Sequence, residues 1–423
     1  MQVHRTNKVF IPGGLPDITY VPRTERNLES RLRQAEDHLC KLVTLTGPTK
    51  CGKTVLTGRV FPRQDVVWLD GGVFPDEASL WSEVNDQLEA FTDHEHSSKK
   101  GSQTEIRGGL TGEGGIPLLK AKGKVDGKQA WTRGGASSGS RSSNPKTTAI
   151  AALREAQTPV IIDDFHYLDR EIQGSVVRGL KALIFEGLPV VILAIPHRRY
   201  DAVRVEREMT GRVENIQVPS WEPDELIEIP RAGFPCLRLD VDQGIQDRFT
   251  EEALGSPHLM QEFCRELCRR LGVEQTCSQD RGFSDDTILQ NLFECVAAGT
   301  GKTMFEKLKR GPRQRSDRIQ RSLKDETNTD IYGVVLQGLA AMKPGIQTVE
   351  YETLRAAIRD IVSGTPPQAH EISRVLEHMA NISANDESST PVIDWEKQER
   401  LLHVTDPFFA YYLRWGNLGT TTN

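Results

Sequence analysis

Short apolar runs alternate with amphipathic stretches along the first half of the chain. The runs have the length of single buried strands, at residues 42–45, 66–69, 159–162, 189–195 and 213–218. Apolar residues in the stretches between them recur at helical spacing, which predicts helices over 77–91, 147–156, 168–186 and about 201–209. Apolar strands that alternate with helices favour a parallel sheet covered on both faces. We therefore expect an α/β fold.

The pattern differs on either side of this region. Residues 1–24 lack helical periodicity and contain Pro12, Pro16 and Pro22, so they predict an extended segment, here called the arm. A helix is predicted over 25–40. From 223 to 271 the pattern is helical only, which is typical of a lid packed beside a sheet.

The last hundred residues predict a compact helical segment with one hairpin. Helices are expected over 331–342, 351–361 and 370–379, and strands over 392–395 and 401–404. A final helix over 406–415 starts with Asp as N-cap and Pro in its first turn. Three helices followed by a hairpin predict a winged helix.

A chain of 423 residues is too long for one hydrophobic core. Residues 94–145, rich in glycine and serine, predict a flexible insertion. A further helix is expected over 285–298, followed by a basic run at 307–321. The predicted domains are an α/β core with this insertion (1–222), a helical lid (223–272), a linker with the basic run (273–325) and the winged helix (326–423).

Composition narrows the function classes. The formal charge of −6 gives no overall case for binding nucleic acid. No apolar run approaches the ~18 residues that a membrane span requires, and the first residues lack the apolar region of a signal peptide. Seven cysteines without regular spacing suggest reduced thiols. We expect a cytoplasmic protein that does not enter membranes.

The strongest motif follows the first apolar run. It reads G-x-x-x-x-G-K-[ST] and leads into a helix start, the context in which this motif has meaning. Backbone N–H groups of such a loop surround an anionic oxygen, and the helix N-terminus adds partial positive charge. We expect ATP and Mg²⁺ here, with Lys53 on the β- and γ-phosphates and Thr54 on the metal. The expected nucleotide-binding residues are Gly47, Pro48, Thr49, Lys50, Cys51, Gly52, Lys53, Thr54 and Val55.

Two carboxylates end the apolar strand about a hundred residues later. Hydrolysis of ATP requires a metal that bridges the phosphates and a group that orients the attacking water. Asp163 suits the metal and Asp164 suits the water. A second glycine-rich stretch at 298–303 imitates the motif, but Val296 stands where the first glycine belongs and a helix precedes it. We reject it as a phosphate loop.

Arginines near the last predicted strand are candidates for stabilising transition-state charge. Arg212 is the stronger one, as a finger that reaches the nucleotide of an adjacent subunit, and Arg207 is the weaker. The strand over 189–195 is expected between the phosphate-loop strand and the Asp163 strand. His197 or Arg198 beyond its end would then sense the γ-phosphate or lie in a solvated loop.

Together these motifs resemble the AAA+ and STAND group of P-loop ATPases, close to its origin-recognition and archaeal-ATPase branch. Residues 20–25 are similar to the arm that cups adenine in that group, which implies that Arg23 contributes to the nucleotide site. Residues 255–258 are similar to the G-x-P lid motif of STAND proteins, which implies the same for Pro257. Asp164 replaces the Glu of many AAA+ proteins, and this favours slow hydrolysis.

The resemblance implies an ATP-dependent molecular switch that controls assembly or a partner protein, with bacterial antiviral defence as its setting. A homo-oligomer or a separately encoded partner protein is expected. One alternative is a DNA-binding loader or transposition helper, and another is a scaffold that keeps nucleotide without hydrolysing it. DNA is the less favoured partner, because Arg374 on the predicted helix over 370–379 stands against Glu371 and Glu377. We expect instead that the winged helix closes on the nucleotide cleft.

Overall fold

The computed structural model describes residues 2–37, 40–89, 144–195, 209, 211–312, 318–385 and 391–418. The chain divides into two compact units, Met1–Pro75 with Thr158–Asn423, and Asp76–Gln157. The domain boundaries predicted at 222, 272 and 325 lie inside the first unit and stay predictions. Residues 94–143 of the insertion, most of the helix predicted over 201–209, and His197, Arg198 and Arg207 lie outside the described residues. No helix in the described ranges has the length and apolarity to cross a membrane.

A parallel sheet forms the centre of the first unit. Its strands are β1 (Leu42–Thr46), β2 (Val67–Asp70), β3 (Val160–Asp163), β4 (Val190–Ala194) and β5 (Val213–Gln217). They lie in the order β2-β3-β4-β1-β5, so β4 lies between β1 and β3 as predicted. β1, β3 and β4 are buried at every position, because helices cover both faces of such a sheet. The predicted α/β fold is confirmed.

The arm is more ordered than its prolines predict. It contains a short helix, α1 (Thr6–Val9), so the prediction of an extended segment is wrong for these residues. Val9 and Phe10 are fully buried, and the ring of Phe10 lies 5.1 Å from that of Phe234 in the lid. Burial of these apolar side chains fixes the arm against the lid.

The helix predicted over 25–40 is interrupted. A 3₁₀ turn ends at Asn27, whose φ of 52° breaks the helical path, and α2 (Leu28–Arg33) follows. The next helix, α3 (Lys53–Val60), begins directly after the glycine-rich loop. The described part of 25–40 is therefore shorter in regular helix than predicted.

The second unit contains a helix pair. Its helices are α4 (Glu77–Gln87) and α5 (Pro145–Ala156). The side-chain amide of Asn85 donates a hydrogen bond to the carbonyl oxygen of Pro145 at 3.0 Å. This contact joins the start of α5 to the end of α4.

After the second unit the chain returns to the first, where α6 (Arg170–Phe185) flanks the sheet and the lid follows β5. The prediction that residues 223–271 are helical only is wrong, since β6 (Leu239–Val241) lies among them and pairs in parallel with β7 (Arg281–Phe283). β6 is buried at both ends and exposed at Asp240, an alternation too short to detect without its partner. The lid helices are α7 (Pro223–Leu226), α8 (Glu228–Cys236), α9 (Gln243–Glu252) and α10 (Pro257–Arg270).

Residues 273–325, predicted as a linker, contain folded structure. The helices α11 (Leu289–Thr300) and α12 (Lys302–Arg310) lie within it, and Phe293 and Phe305 are buried in the same hydrophobic core as the lid. The linker prediction is therefore wrong for these residues. The stretch rejected as a second phosphate loop is the junction of α11 and α12, and a short hairpin follows, with strands β8 (Arg321–Ser322) and β9 (Asn328–Thr329).

The carboxyl-terminal residues form a winged helix, as predicted. Its helices are α13 (Ile331–Ala341), α14 (Tyr351–Ile361) and α15 (Ala369–Ala384). Its antiparallel sheet has the order β10-β12-β11, with β10 (Thr348–Glu350), β11 (Ile393–Glu396) and β12 (Leu401–Val404). The sequence pattern did not predict β10. A last helix, α16 (Pro407–Trp415), is capped by the Asp406 carboxylate, which accepts a hydrogen bond from Phe409 N at 2.8 Å.

Candidate nucleotide-binding site

The glycine-rich loop joins the carboxyl end of β1 to the first residue of α3. A side chain at Gly47 would collide with the carbonyl oxygen of Val218, and Gly52 has a φ of 93° that favours glycine. Lys53 Nζ donates to the carbonyl oxygens of Gly47 and Pro48 at 3.0 and 2.9 Å. The ammonium therefore lies over the loop, where an anion held by the loop amides would meet it.

Three carboxylates gather where β2 and β3 end. Asp163 pairs in register with Asp70, and Asp164 follows directly. Burial, together with the negative charge of Asp164, raises the pKa of Asp163 to about 6, while a hydrogen bond from the Thr54 side chain opposes the shift. Burial and the charge of Asp70 raise the pKa of Asp164, and Lys53 and Lys50 oppose this. Such a cluster attracts a cation.

The residues predicted for Mg²⁺ are adjacent. The Thr54 hydroxyl is hydrogen-bonded to the Asp163 carboxylate, so both oxygens face one point beside the loop. Mg²⁺ prefers oxygen ligands and usually takes only one or two from protein, with water and phosphate supplying the rest. The donor set fits Mg²⁺ held jointly with a nucleotide.

A cavity of about 830 Å³ opens at this edge of the sheet. The arm, the loop, both aspartates, the lid and the winged helix all contribute to its wall. Of the predicted nucleotide-binding residues, those that line it are Arg23, Thr49, Lys50, Cys51, Gly52, Lys53, Thr54, Val55 and Pro257. Gly47 and Pro48, at the start of the loop, do not line it. The volume is in the range of small-molecule sites.

Arg23 is committed to protein partners. Its Nε and Nη2 donate to the two carboxylate oxygens of Glu225 at 2.9 and 2.8 Å. The remaining bonds go to the carbonyl oxygens of Pro219 and Ser220, both at 3.1 Å, and the guanidinium stacks 4.8 Å from the Trp221 ring. With its donors occupied in this way, Arg23 fixes the arm to the start of the lid rather than presenting its charge to a nucleotide.

Pro257 is the first residue of α10, and His258 beside it faces the winged helix. The Ser256 side chain caps α10, accepting a bond from the Leu259 amide at 3.4 Å. Burial, aided by the charges of Lys50 and Arg265, lowers the pKa of His258 to about 4. The lid therefore presents a neutral imidazole to the cavity at neutral pH.

Phe408 of the winged helix makes a contact that sequence patterns did not reveal. Its ring lies 4.8 Å from the His258 ring, edge to face, and 5.5 Å from Lys50 Nζ. The sequence shows Asp-Pro-Phe at 406–408 as a helix start in a tail that fits the resembled family, without indicating this contact. Phe408 and Lys50 are more than 350 residues apart in the sequence, so no local pattern indicates that they are in contact.

Arg212 lies away from the cavity of its own chain. It precedes β5, at the amino edge of the sheet, whereas the loop follows the carboxyl end of β1. Its guanidinium stacks 4.0 Å from the Phe185 ring. Along strands of five residues the two edges are about 15 Å apart, so a role in its own site is excluded by distance. The predicted role in a neighbouring site stays a prediction.

Comparison with known proteins finds similar folds among solved structures. No family model matches the chain, and no curated protein matches it. Among solved structures, a Walker-type ATPase of Pyrococcus abyssi superposes with a TM-score of 0.52 at 15% identity, over 94% of this chain and 99% of that one. The ORC2 protein of Aeropyrum pernix, solved in ADPNP–ADP complexes, gives 0.50 at 13% identity over 96% and 95%.

These likenesses lie at low identity and concern the fold. They extend over nearly the whole length of both partners, from the arm to the winged helix. The fold predicted from the motifs is confirmed at that level: the chain has a parallel α/β P-loop fold with a carboxyl-terminal winged helix, similar to that of these two proteins.

Proposed function

We propose that this protein is an ATP-binding, slowly hydrolysing switch that controls its own assembly or a partner protein. One observation carries the proposal: the phosphate loop, the aspartate pair, the lid and the winged helix all line one cavity. A nucleotide in that cavity would contact every part whose relative position defines a closed state. Its phosphates would therefore influence that position.

The residues have separate roles in this proposal. Lys53 neutralises the β- and γ-phosphates, and Thr54 and Asp163 hold Mg²⁺. The metal, when bound, neutralises charge that develops on the transferred phosphoryl group. Asp164 orients the attacking water. Its side chain is one methylene shorter than that of Glu, which would place the carboxylate farther from the water and slow turnover.

Several cations of the winged helix and the basic run have acidic partners within the chain. Arg318 pairs with Asp330 at 2.6 Å, and Arg321 pairs with Glu371 at 2.9 Å. On the winged helix itself, Lys397 pairs with Glu377 at 3.1 Å. A cation that is already paired with a carboxylate is less available to contact a DNA phosphate. This supports a protein partner over the DNA-loader alternative, and antiviral defence is the setting we propose for that partner.

The decisive experiment measures nucleotide binding and turnover on the full chain. Lys53→Ala should weaken ATP binding more than tenfold, because the charge on the phosphates is lost, while the exposed Lys8→Ala leaves it unchanged. Asp164→Asn should bind ATP normally and abolish turnover. ATP affinity within twofold of wild type in Lys53→Ala would overturn the site. Turnover indistinguishable from background in the wild type would favour the scaffold alternative.

A further inference from the structure

Lys50 occupies a special place in the phosphate loop. Its φ of 62° is unusual for a residue with a side chain, and the side chain lines the cavity. Lys50 Nζ lies 5.5 Å from the centroid of Phe408, a distance at which a cation is attracted to the ring face. The loop therefore holds two lysines, one over its own carbonyls and one against the winged helix.

Contacts at both ends of α16 fix the position of Phe408. A side chain at Gly301 would come within 2.6 Å of the Phe408 carbonyl oxygen, so the backbones of the α11–α12 junction and α16 touch there. At the other end of α16, Trp415 Nε1 donates to Glu252 of the lid at 2.8 Å. The ring cannot follow Lys50 if the lysine moves.

Lys50 also faces the reacting end of a bound nucleotide. Its positive charge opposes the burial and the charge of Asp70 that raise the pKa of Asp164, which shows that it is close to the residue assigned to the attacking water. The charges of Lys53 and Lys50 both act on Asp164, so a γ-phosphate beside Asp164 would be close to both lysines. Its charged oxygens are a stronger partner for the ammonium than the face of a ring.

We propose that Lys50 distinguishes triphosphate from diphosphate by leaving the face of Phe408 for the γ-phosphate. The inference rests on the proposed function. Binding of ATP then breaks the Lys50–Phe408 contact, whereas binding of ADP leaves that contact in place. Phe408 therefore lowers the preference for ATP and ties the closed position of the winged helix to the diphosphate.

A double-mutant cycle on the full chain tests this, with affinities for ADP and a non-hydrolysable ATP analogue measured in Mg²⁺. Phe408→Leu should raise the ratio of triphosphate to diphosphate affinity about twofold to fivefold, the range of a cation–π contact made by an exposed lysine such as Lys50. Lys50→Met should lower that ratio, and Phe408→Leu should then have no further effect on it. Lys50→Arg, which keeps the charge, should retain the wild-type ratio.

The outcomes separate the inference from the proposed function. A Phe408→Leu variant that shifts both affinities equally, or that shifts the ratio equally in the Lys50→Met background, overturns the inference and leaves the proposed function intact. A wild-type chain that binds neither nucleotide overturns both. Phe283→Leu, on a half-buried ring of β7, is the matched control and should leave the ratio unchanged. Thermal unfolding of each variant verifies that it folds.

Discussion

The indole Nε1 of Trp221 donates a hydrogen bond to the carbonyl oxygen of Cys51, at 2.9 Å. Trp221 also carries the Arg23 guanidinium on its ring, and its backbone amide donates to the Gly255 carbonyl at 3.3 Å. One side chain therefore connects the phosphate loop to the arm, at the point where the chain enters the lid. The shape of the loop and the position of the lid depend on each other through this residue.

Replacing Trp221 by Phe keeps a ring under Arg23 and removes the bond to Cys51. We expect ATP affinity to fall about fivefold, the effect of one hydrogen bond worth about 1 kcal/mol, because the loop is then less well fixed. A titration with ATP measures this. Trp395→Phe is the control, since its Nε1 has no hydrogen-bond partner among the described residues. Equal losses in both variants would contradict the prediction.

Local chemistry made the phosphate loop and Asp163 predictable from sequence. The loop requires a positive φ at Gly52, which favours glycine there, and the apolar strand that ends in Asp163 is recognisable from its own residues. Arg23 shows the limit of this reasoning. Its partner Glu225 is about 200 residues away, so a motif that suggested a nucleotide contact gave no sign of the ion pair that occupies the guanidinium.

The small lid sheet was missed for the same reason. β6 has three residues, and its partner β7 begins about 40 residues later, beyond the lid as predicted. Neither strand is long enough to show a period of two on its own. Likewise, the basic residues near 307–310 suggested a linker, although Met304 and Leu308 on the same helix are buried. The charged residues on one face of this helix led to the linker prediction, although its other face is apolar.

Glu252 joins the lid to the last helix. Its carboxylate accepts from Trp415 Nε1 and pairs with Arg414 and Arg248, each at 3.2 Å, and it is only 5% exposed. Glu252→Gln should lower the free energy of unfolding by about 2 kcal/mol, because the buried carboxylate no longer neutralises Arg414 and Arg248. Denaturant unfolding measures this. The neighbouring Glu251→Gln breaks an exposed pair and should change stability by less than about 0.5 kcal/mol.

The two results discriminate between a general and a local effect of charge. Similar losses in both variants would show that Glu252 acts only through the overall charge of α9. A loss confined to Glu252→Gln would support a clamp between lid and winged helix.

His258 predicts a loss of stability in acid. Burial, with the charges of Lys50 and Arg265, lowers its pKa from 6.5 to about 4, while the Glu262 carboxylate 3.9 Å away would favour the charged ring. Between pH 6.5 and 4 the unfolded chain therefore binds a proton that the folded chain does not. Stability that is present above pH 6.5 declines as the pH falls to 4, by roughly 2 to 3 kcal/mol from this residue.

The measurement is the free energy of unfolding from pH 7.5 to 4 for wild type, His258→Gln and the exposed control His370→Gln. Other groups titrate equally in all three proteins, so their contribution cancels in the comparison. Only His258→Gln should show a shallower decline. Three parallel curves would mean that His258 is protonated as readily in the folded chain as in the unfolded one.

Arg212 yields the last prediction, because its position rules out a role in the site of its own chain. The guanidinium lies against Phe185 at the amino edge of the sheet, far from the cavity of its own chain. Arg212→Ala should therefore leave ATP affinity unchanged and lower turnover, if a neighbouring subunit uses the arginine. Mixing Arg212→Ala subunits with Lys53→Ala subunits should restore part of the activity, since a Lys53→Ala subunit would supply its intact Arg212 to the site of an Arg212→Ala neighbour. With mixed assemblies verified by size, the absence of any recovery would show that Arg212 has no part in a neighbour's site.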